Sequence, residues 1–555
     1  MRNKILVLAS FSVLFLYNCS IAQIVSVPLD NEIYNYLTRG AAKGYITLND
    51  ETRPWSRIYV AGKLLEFRNI LDKLTTWEKE SLEFYEHEYY YELVKLKKET
   101  INTTLKYLTF DYSDRFRFFF YEDSNFTFSA EPMLGYEIGK KYGDNQLERH
   151  NGINIYGSFS DNIGISSNLI DNLEEGLLLD ANRTYSNKTG FGFITSFNKS
   201  IEYDYVNASI DISWKWGNFG IAKDYIQWGS GESGQLIFST KAPSFPFIRL
   251  KLNPVDWFEF NYIHGWLNST IIDSSGLRYN FNQNRLHYSL VDKFIASHLF
   301  TFRPLGNLSI SVGESVVYSD KIQPVYFIPF LFFRLADHYV MNNDNNVGGN
   351  AQIFADIRYK NKPIKSIFYF SLFIDELAVG SLFNSASNRI EAKQTELAYT
   401  IGGKFIDPFL ENSEVVLEYT KIEPYVYSHS DDAQFYSNYK YQLGHWIGNN
   451  GDLVFLSYIQ NIQRGLKLKI WGEYLRRGKS VVNSGDVIYP YPDFLYGNRE
   501  NTVNWGIEGN YEIIYSLNAK LAFQHSKITD EDLTRTPSYQ LGIKNLFSFS
   551  LSYGF

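Results

Sequence analysis

From about residue 105 to the end, apolar and polar side chains alternate with a period of two. In "NASIDISWKWG" Ala208, Ile210, Ile212, Trp214 and Trp216 fall on one side, and Ser209, Asp211, Ser213 and Lys215 on the other. "LSISVGESVVY" sets Leu308, Ile310 and Val312 against Ser309, Ser311 and Gly313. "GLKLKIWGEYL" sets Leu466, Leu468 and Ile470 against Lys467 and Lys469. "SIFYFSLFIDEL" and "VVLEYTKIE" repeat the theme, and the chain closes on "LFSFSLSYGF". Such segments predict β-strands with one oily and one wet face.

Before residue 105 the period is helical. "PLDNEIYNYLTRGAAKGYI" offers Asp30 or Asn31 as N-cap, apolar Ile33, Tyr36 and Leu37, and Gly44 as a stop. Ser56 follows Pro54 as the cap of a second helix. Thr75 and Glu78 stand at capping-box spacing ahead of a third. There Leu82, Tyr85, Tyr89, Leu93 and Leu96 recur every three or four residues, on one face, and the last turn is rich in Lys. A small helical domain with no chemistry of its own accounts for this pattern.

Alternation alone does not separate a soluble sandwich, with its oily face turned inward, from a membrane barrel. Three features favour the barrel. Trp, Phe and Tyr stand at the ends of the oily faces, as in an aromatic girdle. The alternation runs for some 450 residues without a domain break, too long for one sandwich. The chain also ends on a strand, and a barrel in lipid must pair its last strand with its first to leave no open edge. Terminal Phe555 resembles the signal read by outer-membrane assembly machinery. At about 25 residues per strand with its connection, this length gives about 18 strands, with 16 to 20 acceptable. The fold class is thus an all-β transmembrane antiparallel barrel with a small N-terminal helical domain.

Composition supports this. Aromatics make up 17% of the 555 residues, with 43 Tyr and 43 Phe, while 21% are charged. Mean hydropathy is only −0.26, as suits strands that are oily on one side. A net charge of −8 argues against nucleic-acid binding. After the N-terminal segment no run of 18 apolar residues exists to form a membrane helix. That segment reads as an export signal. "MRNK" is basic, "ILVLASFSVLFLY" is apolar, and Ser20 and Ala22 place cleavage before Gln23. A rival reading lipidates Cys19, the only cysteine, although Asn18 is large for that signal. The expected division is a signal peptide over 1–22, a periplasmic helical domain over 23–104 and an outer-membrane barrel over 105–555.

Catalytic motifs are weak. "LRRGKS" ends like a phosphate loop, but Glu473 occupies the first glycine position, which leaves a strand end. "GSGESG" holds Ser233, but Gln235 replaces the last glycine of a nucleophile elbow, which leaves a turn. "HEYYY" lacks the second histidine of a zinc helix. Asp344 in "NNDNNVGGN" has no second carboxylate for calcium. No catalytic residue, cofactor or metal is assigned.

Several stretches resemble the Wzi capsule-assembly family of outer-membrane proteins. They are "IYNYLTRGAAKGYI", "RPWSRIYVAGKLLE", "LTTWEKESLEFYEHEY", "YIQWGSGESGQLIFSTKAPSFPFIRLK", "FIPFLFFRLADHYVMNNDNNVGGNAQIFADIRY" and "YQLGHWIGNNGDLVFLSYIQ". The likeness spans residues 27 to 555, and the order of the stretches carries it. In "FIPF", Ile328 stands where a polar residue is expected. The resemblance implies an 18-stranded barrel, a helical domain at the periplasmic end, and a lectin-like, non-catalytic role in holding capsular or another surface polysaccharide. The candidate ligand residues are Trp228 and Glu232 in "QWGSGESGQ", and His338, Asp344 and Asn345 in "DHYVMNNDNN". An alternative is that both stretches are turns that shape the barrel. A porin or an outer-membrane hydrolase are the other function classes. Expected partners are the polysaccharide, outer-membrane lipid and the assembly machinery, with a monomer favoured.

Overall fold

The period-two segments close on themselves. The computed structural model describes residues 25–555 apart from 100–102, 114, 161, 184–185, 281–284, 338–347, 377–394 and 481–490. Among the described residues eighteen antiparallel strands form a ring. They are β1 (Phe126–Lys141), β2 (Asp144–Phe159), β3 (Ile163–Glu175), β4 (Ser200–Trp214), β5 (Gly217–Asp224), β6 (Phe245–Val255), β7 (Phe258–Asn280), β8 (Arg285–Leu305) and β9 (Leu308–Ser319). The ring continues with β10 (Asn350–Asn361), β11 (Ser366–Glu376), β12 (Glu396–Ile406), β13 (Ser413–Ile422), β14 (Gly451–Gln463), β15 (Leu466–Arg477), β16 (Glu500–Ile514), β17 (Leu517–Asp530) and β18 (Gly542–Tyr553).

Closure pairs the last ring strand with the first, with one addition. Before β1 lies a hairpin, Thr104–Phe110 with Phe116–Glu122. One edge of β1 is shared. Phe126–Lys141 pairs with the hairpin through Thr127–Ala130 and with β18 through Leu134–Lys140. Pro132, which has no N–H to give to a ladder, sits where the partner changes.

The faces fall as the alternation predicts. Ile210 and Ile212 are 49% and 46% exposed on the outside, whereas Asp211 is buried inside and grips Arg249 at 2.6 and 2.9 Å. Ile470 also faces out, and Lys467 and Lys469 face a lumenal cavity. One end of the barrel has tight connections, such as 215–216, 256–257, 306–307, 464–465 and 515–516. The other end carries the long ones.

The helical residues pack against the tight-turn end. Helices α1 (Ile33–Ala42), α2 (Arg57–Arg68), α3 (Thr76–Glu88) and α4 (Tyr90–Lys97) share a core of Tyr34, Leu37, Trp55, Leu64, Phe67 and Leu82. The caps are as read. Ser56 accepts from Tyr59 N–H, and Thr75 and Glu78 form a capping box. The third helical segment breaks at Tyr89, which is buried between α3 and α4. Arg39 pairs with Asp407 at 2.7 Å, Thr75 bonds Asn412 at 2.9 Å, and Glu51 pairs with Arg303 at 2.7 Å. The helical unit is thereby tied to the barrel turns and wall.

The β9–β10 connection does something the alternation does not announce. Pro324–Phe327 and the helical turn at 333–337 lie back across the outer wall of β7–β9. Tyr326 and Phe333 bury against Phe260, Tyr262, Phe294 and Val316. Beneath this flap His298 Nε2 meets Glu314 at 3.4 Å, and the Tyr318 hydroxyl meets His264 at 3.1 Å. Glu314 accepts from the N–H groups of Phe333 and Arg334. The flap's own outer surface is Ile328, Phe330, Phe332 and Leu335, all exposed. Position 328 is therefore apolar because it looks outward from the barrel wall.

Candidate functional site

The glycine-rich stretch singled out in the sequence belongs to the long β5–β6 connection, and it descends into the lumen. Gly229 and Gly231 adopt φ of +91° and +146°, which L side chains rarely take. A Cβ on Gly231 would also lie 1.9 Å from the Gly234 carbonyl oxygen. These turns aim backbone amides at the barrel wall. Ser230 donates its N–H and hydroxyl to Asp356 at 2.7 and 2.9 Å. The N–H groups of Glu232 and Ser233 donate to Glu418 at 2.7 and 3.0 Å. The Ser233 hydroxyl and the Tyr369 hydroxyl, the latter at 2.6 Å, donate to the same carboxylate.

Apolar residues of this connection hold it from the other side. Trp228 is 3% exposed and stacks edge-on with Phe238 at 5.2 Å. Leu236, Ile237 and Phe238 pack with Tyr427, Tyr436 and Ile447 of the β13–β14 connection, which also enters the lumen. Tyr427 and Tyr436 donate their hydroxyls to the Leu236 and Ile237 carbonyls at 2.8 and 2.9 Å. Trp446 Nε1 donates to the Ser233 carbonyl at 2.8 Å. Buried His445 beside them is pushed down to about 3 by burial first and by Arg477 second.

From the tight-turn end an N-terminal segment rises to meet this plug. Thr52 and Arg53 pair as a two-residue ribbon with Trp228 and Gln227. Around the junction lies a cavity of about 140 Å³ bordered by Asp50, Arg53, Glu232, Gln235, Arg358 and Lys404. Glu232 meets Lys404 at 2.8 Å, and Lys404 also reaches Glu414 at 3.2 Å. Burial alone would raise the Glu232 carboxyl, but Lys404 outweighs it and the group lies below its usual range. Asp50 receives Lys360 at 2.7 Å and Arg358 at 3.2 Å. Those two cations hold it low against the same burial effect. A larger cavity of about 480 Å³ opens between α1, α3 and the walls of β14–β17. Glu32, Arg39, Lys467, Lys469 and Glu508 line it, and Glu232 borders both spaces.

Trp228 and Glu232 thus share one lumenal loop, Trp228 as a buried anchor and Glu232 as a cavity-facing charge. His338, Asp344 and Asn345 lie outside the described residues. The residues that grip the loop, Asp356, Arg358, Lys404 and Glu418, were missed in the sequence. Their signal was the polar phase of strands such as "ADIRYK", which marks a lumenal face without naming its partner. The phosphate-loop lookalike is the end of β15, at Arg477. Among the described residues no cluster of three His, Cys, Asp or Glu converges as metal ligands.

Residues 140–540 match the sequence model of the family described as capsule assembly protein Wzi. No curated protein sequence matches the chain. Among solved structures, the fold is similar to that of Wzi from Escherichia coli, described as an outer-membrane protein involved in group 1 capsule assembly and a carbohydrate-binding β-barrel. The TM-score is 0.56 at 13% identity, over 96% of this chain and 100% of that one. Pseudomonas aeruginosa OprD gives 0.41 at 11% identity over 77% and 94%, and Acinetobacter baumannii OccAB2 gives 0.42 at 9% over 78% and 99%.

Proposed function

The chain belongs to the Wzi capsule-assembly family, and from that premise we propose that it holds a surface polysaccharide at the outer membrane without cutting it. The observation that carries this reading is the lumen. Two long connections and an N-terminal segment fill it and leave polar clefts between them. Such clefts suit hydroxyl-rich ligands better than free solute flow.

The tight turns and the helical unit face the periplasm, and the long connections face out, in the usual sense of these barrels. Phe555 is the mark read by the assembly machinery, and the outer face meets lipid. Glu232 and Gln235 offer hydrogen bonds to sugar hydroxyls, Trp228 fixes their loop, and His338, Asp344 and Asn345 are the further candidates for contact with the polymer. Weak contacts repeated along a polymer add up through avidity. Catalysis is disfavoured by the pairing of the acids. Hydrolysis of a glycosidic bond needs one carboxyl protonated and a second free. Here Glu232 is held by Lys404, Asp50 by Lys360, and Glu418 by loop donors.

The test is surface retention in a deletion strain. Complementation with Glu232→Ala, Gln235→Ala or Asp344→Ala should release glycan of full length into the medium, with heat-modifiable barrel unchanged. Shortened glycan that depends on the wild-type protein would make it an enzyme and overturn the tether.

A further inference from the structure

Cations near the lumenal junction come with acids attached, and Arg53 is the exception. Arg249 holds Asp211, Lys251 holds Glu259, Arg303 holds Glu51, Arg358 and Lys360 share Asp50, and Lys404 holds Glu232. Among the described residues Arg53 makes no ion pair and no side-chain hydrogen bond. Its guanidinium lies instead over two rings, 4.6 Å from the centre of Tyr34 and 5.5 Å from that of Trp55. Those rings pack on each other at 4.5 Å. The backbone at Arg53 is pinned by its pairing with Gln227. The group is half-buried, and burial pulls its pKa down. Asp50 and Glu232 act on it through space, but each is already engaged by a lysine.

Arg53 borders two spaces at once. One is the cavity with Gln227, Glu232 and Gln235. The other, also about 140 Å³, lies toward the tight-turn end and is bordered by Asn49, Trp55, Tyr59, Trp228 and Asn261. A cavity of about 150 Å³ takes a benzene ring, so a pyranose fills this one and its substituents reach past Arg53 toward the other. The cavity wall combines rings, from nearly buried Trp55 and Trp228 to the 39% exposed Trp216, with the amides of Asn49, Asn218 and Asn261. The indole N–H of Trp55, a 3% exposed residue, has no acceptor. Unspent guanidinium donors, aromatic faces and an idle indole N–H together describe a receptor rather than a structural contact.

We propose that Arg53 receives the carboxylate of an acidic pyranose whose ring sits in the cavity beside Trp55 and Trp228. This rests on the tether reading and narrows its ligand to an acidic glycan. A guanidinium fork matches a carboxylate with two parallel hydrogen bonds. The apolar face of the sugar ring lies against aromatic rings. A dianionic phosphate fits less well, because Asp50, Glu51, Glu232 and Glu259 surround the junction.

The experiment uses the full-length protein in detergent micelles, titrated with methyl glucuronide, methyl glucoside and inorganic phosphate, with tryptophan fluorescence and calorimetry as readouts. The glucuronide is expected to bind at least about tenfold more tightly than the glucoside. Arg53→Gln should remove that preference and leave glucoside affinity within about twofold, and Arg53→Lys should restore only part of it. Equal binding of the two sugars by the wild-type protein would overturn the acidic assignment and leave the tether standing. Phosphate that competes as well as the glucuronide would overturn the sugar assignment. If Arg53→Gln fails to fold, the wild-type ranking of the three ligands still decides. Conversely, a polymer that is not retained on cells, despite glucuronide binding, would sink the tether and spare this site.

Discussion

Glu418 is the point at which the lumenal loop is most exposed to a single substitution. Its carboxylate is 1% exposed and accepts from four donors: Glu232 N–H, Ser233 N–H, the Ser233 hydroxyl and the Tyr369 hydroxyl. Hydrogen bonds to a charged group contribute about 1.5–3 kcal/mol each, so four would sum to roughly 6–12 kcal/mol if none were replaced. Glu418→Ala leaves a polar, roomy gap, which water can enter and thereby recover part of that sum. The expected net loss is about 3–5 kcal/mol, the range for removing one member of a buried charged set. Glu418→Gln keeps the shape and one acceptor oxygen, and it should lose about half as much. Thermal unfolding in micelles reads the total. Hydrogen exchange of the amides at 229–235 reads the loop, and both should move together. The apolar grip of Trp228, Leu236 and Phe238 is untouched, so planar-bilayer conductance should stay closed. A loss below about 1 kcal/mol for Glu418→Ala, or equal losses for Ala and Gln, would refute the clasp. Open steps in the bilayer would refute the apolar grip.

Three further outcomes are expected. Val206→Arg places a cation on the outer wall at the middle of β4, where Val206 is exposed, and should destabilise by about 2–4 kcal/mol near the midplane. Lys467→Ser, which loses only a partly exposed pair with Glu32, should change folding titrations little; the reverse ranking would mean a register error. Phe555→Asp, or its deletion, should block appearance of heat-modifiable barrel while export continues, and undiminished barrel would count against a terminal signal. His445 titrates near 3 in the folded protein against 6.5 unfolded, a depressed value, so its contribution is complete above 6.5 and is lost as pH falls toward 3. Stability should drop by about 2 kcal/mol between pH 6.5 and 5, and His445→Gln should flatten that part of the melting profile.

The strands were legible because one physical rule governs every residue in them. Ile210, Asp211 and Ile212 must look out, in and out, whatever their partners are. The caps at Ser56 and Thr75 were equally legible, since their donors lie three residues away. What lay beyond the sequence was long-range. Gly229–Gln235 reads as a turn and is one, but its amides meet Asp356 and Glu418 more than a hundred residues later. Trp228 is a candidate ligand residue through the polar stretch it shares with the family, yet its side chain is buried against Phe238. The ring closes β18 on β1 as the last-to-first rule requires, while the hairpin that takes the other part of the β1 edge is not announced by the alternation. The flap over β7–β9 breaks the period, and no local pattern says which wall it covers.

That flap imposes a schedule on the birth of the barrel. Until Tyr326 and Phe333 settle onto the wall, His264, His298 and Glu314 point toward the hydrocarbon that surrounds a finished barrel. A carboxylate and two imidazoles without partners in oil are strongly unfavourable. The staves β7–β9 are therefore fit for release into the bilayer only after residues far along the same connection have come home. A wall that met lipid before the flap settled would turn those three groups to oil, so the flap is what lets this side of the barrel carry them.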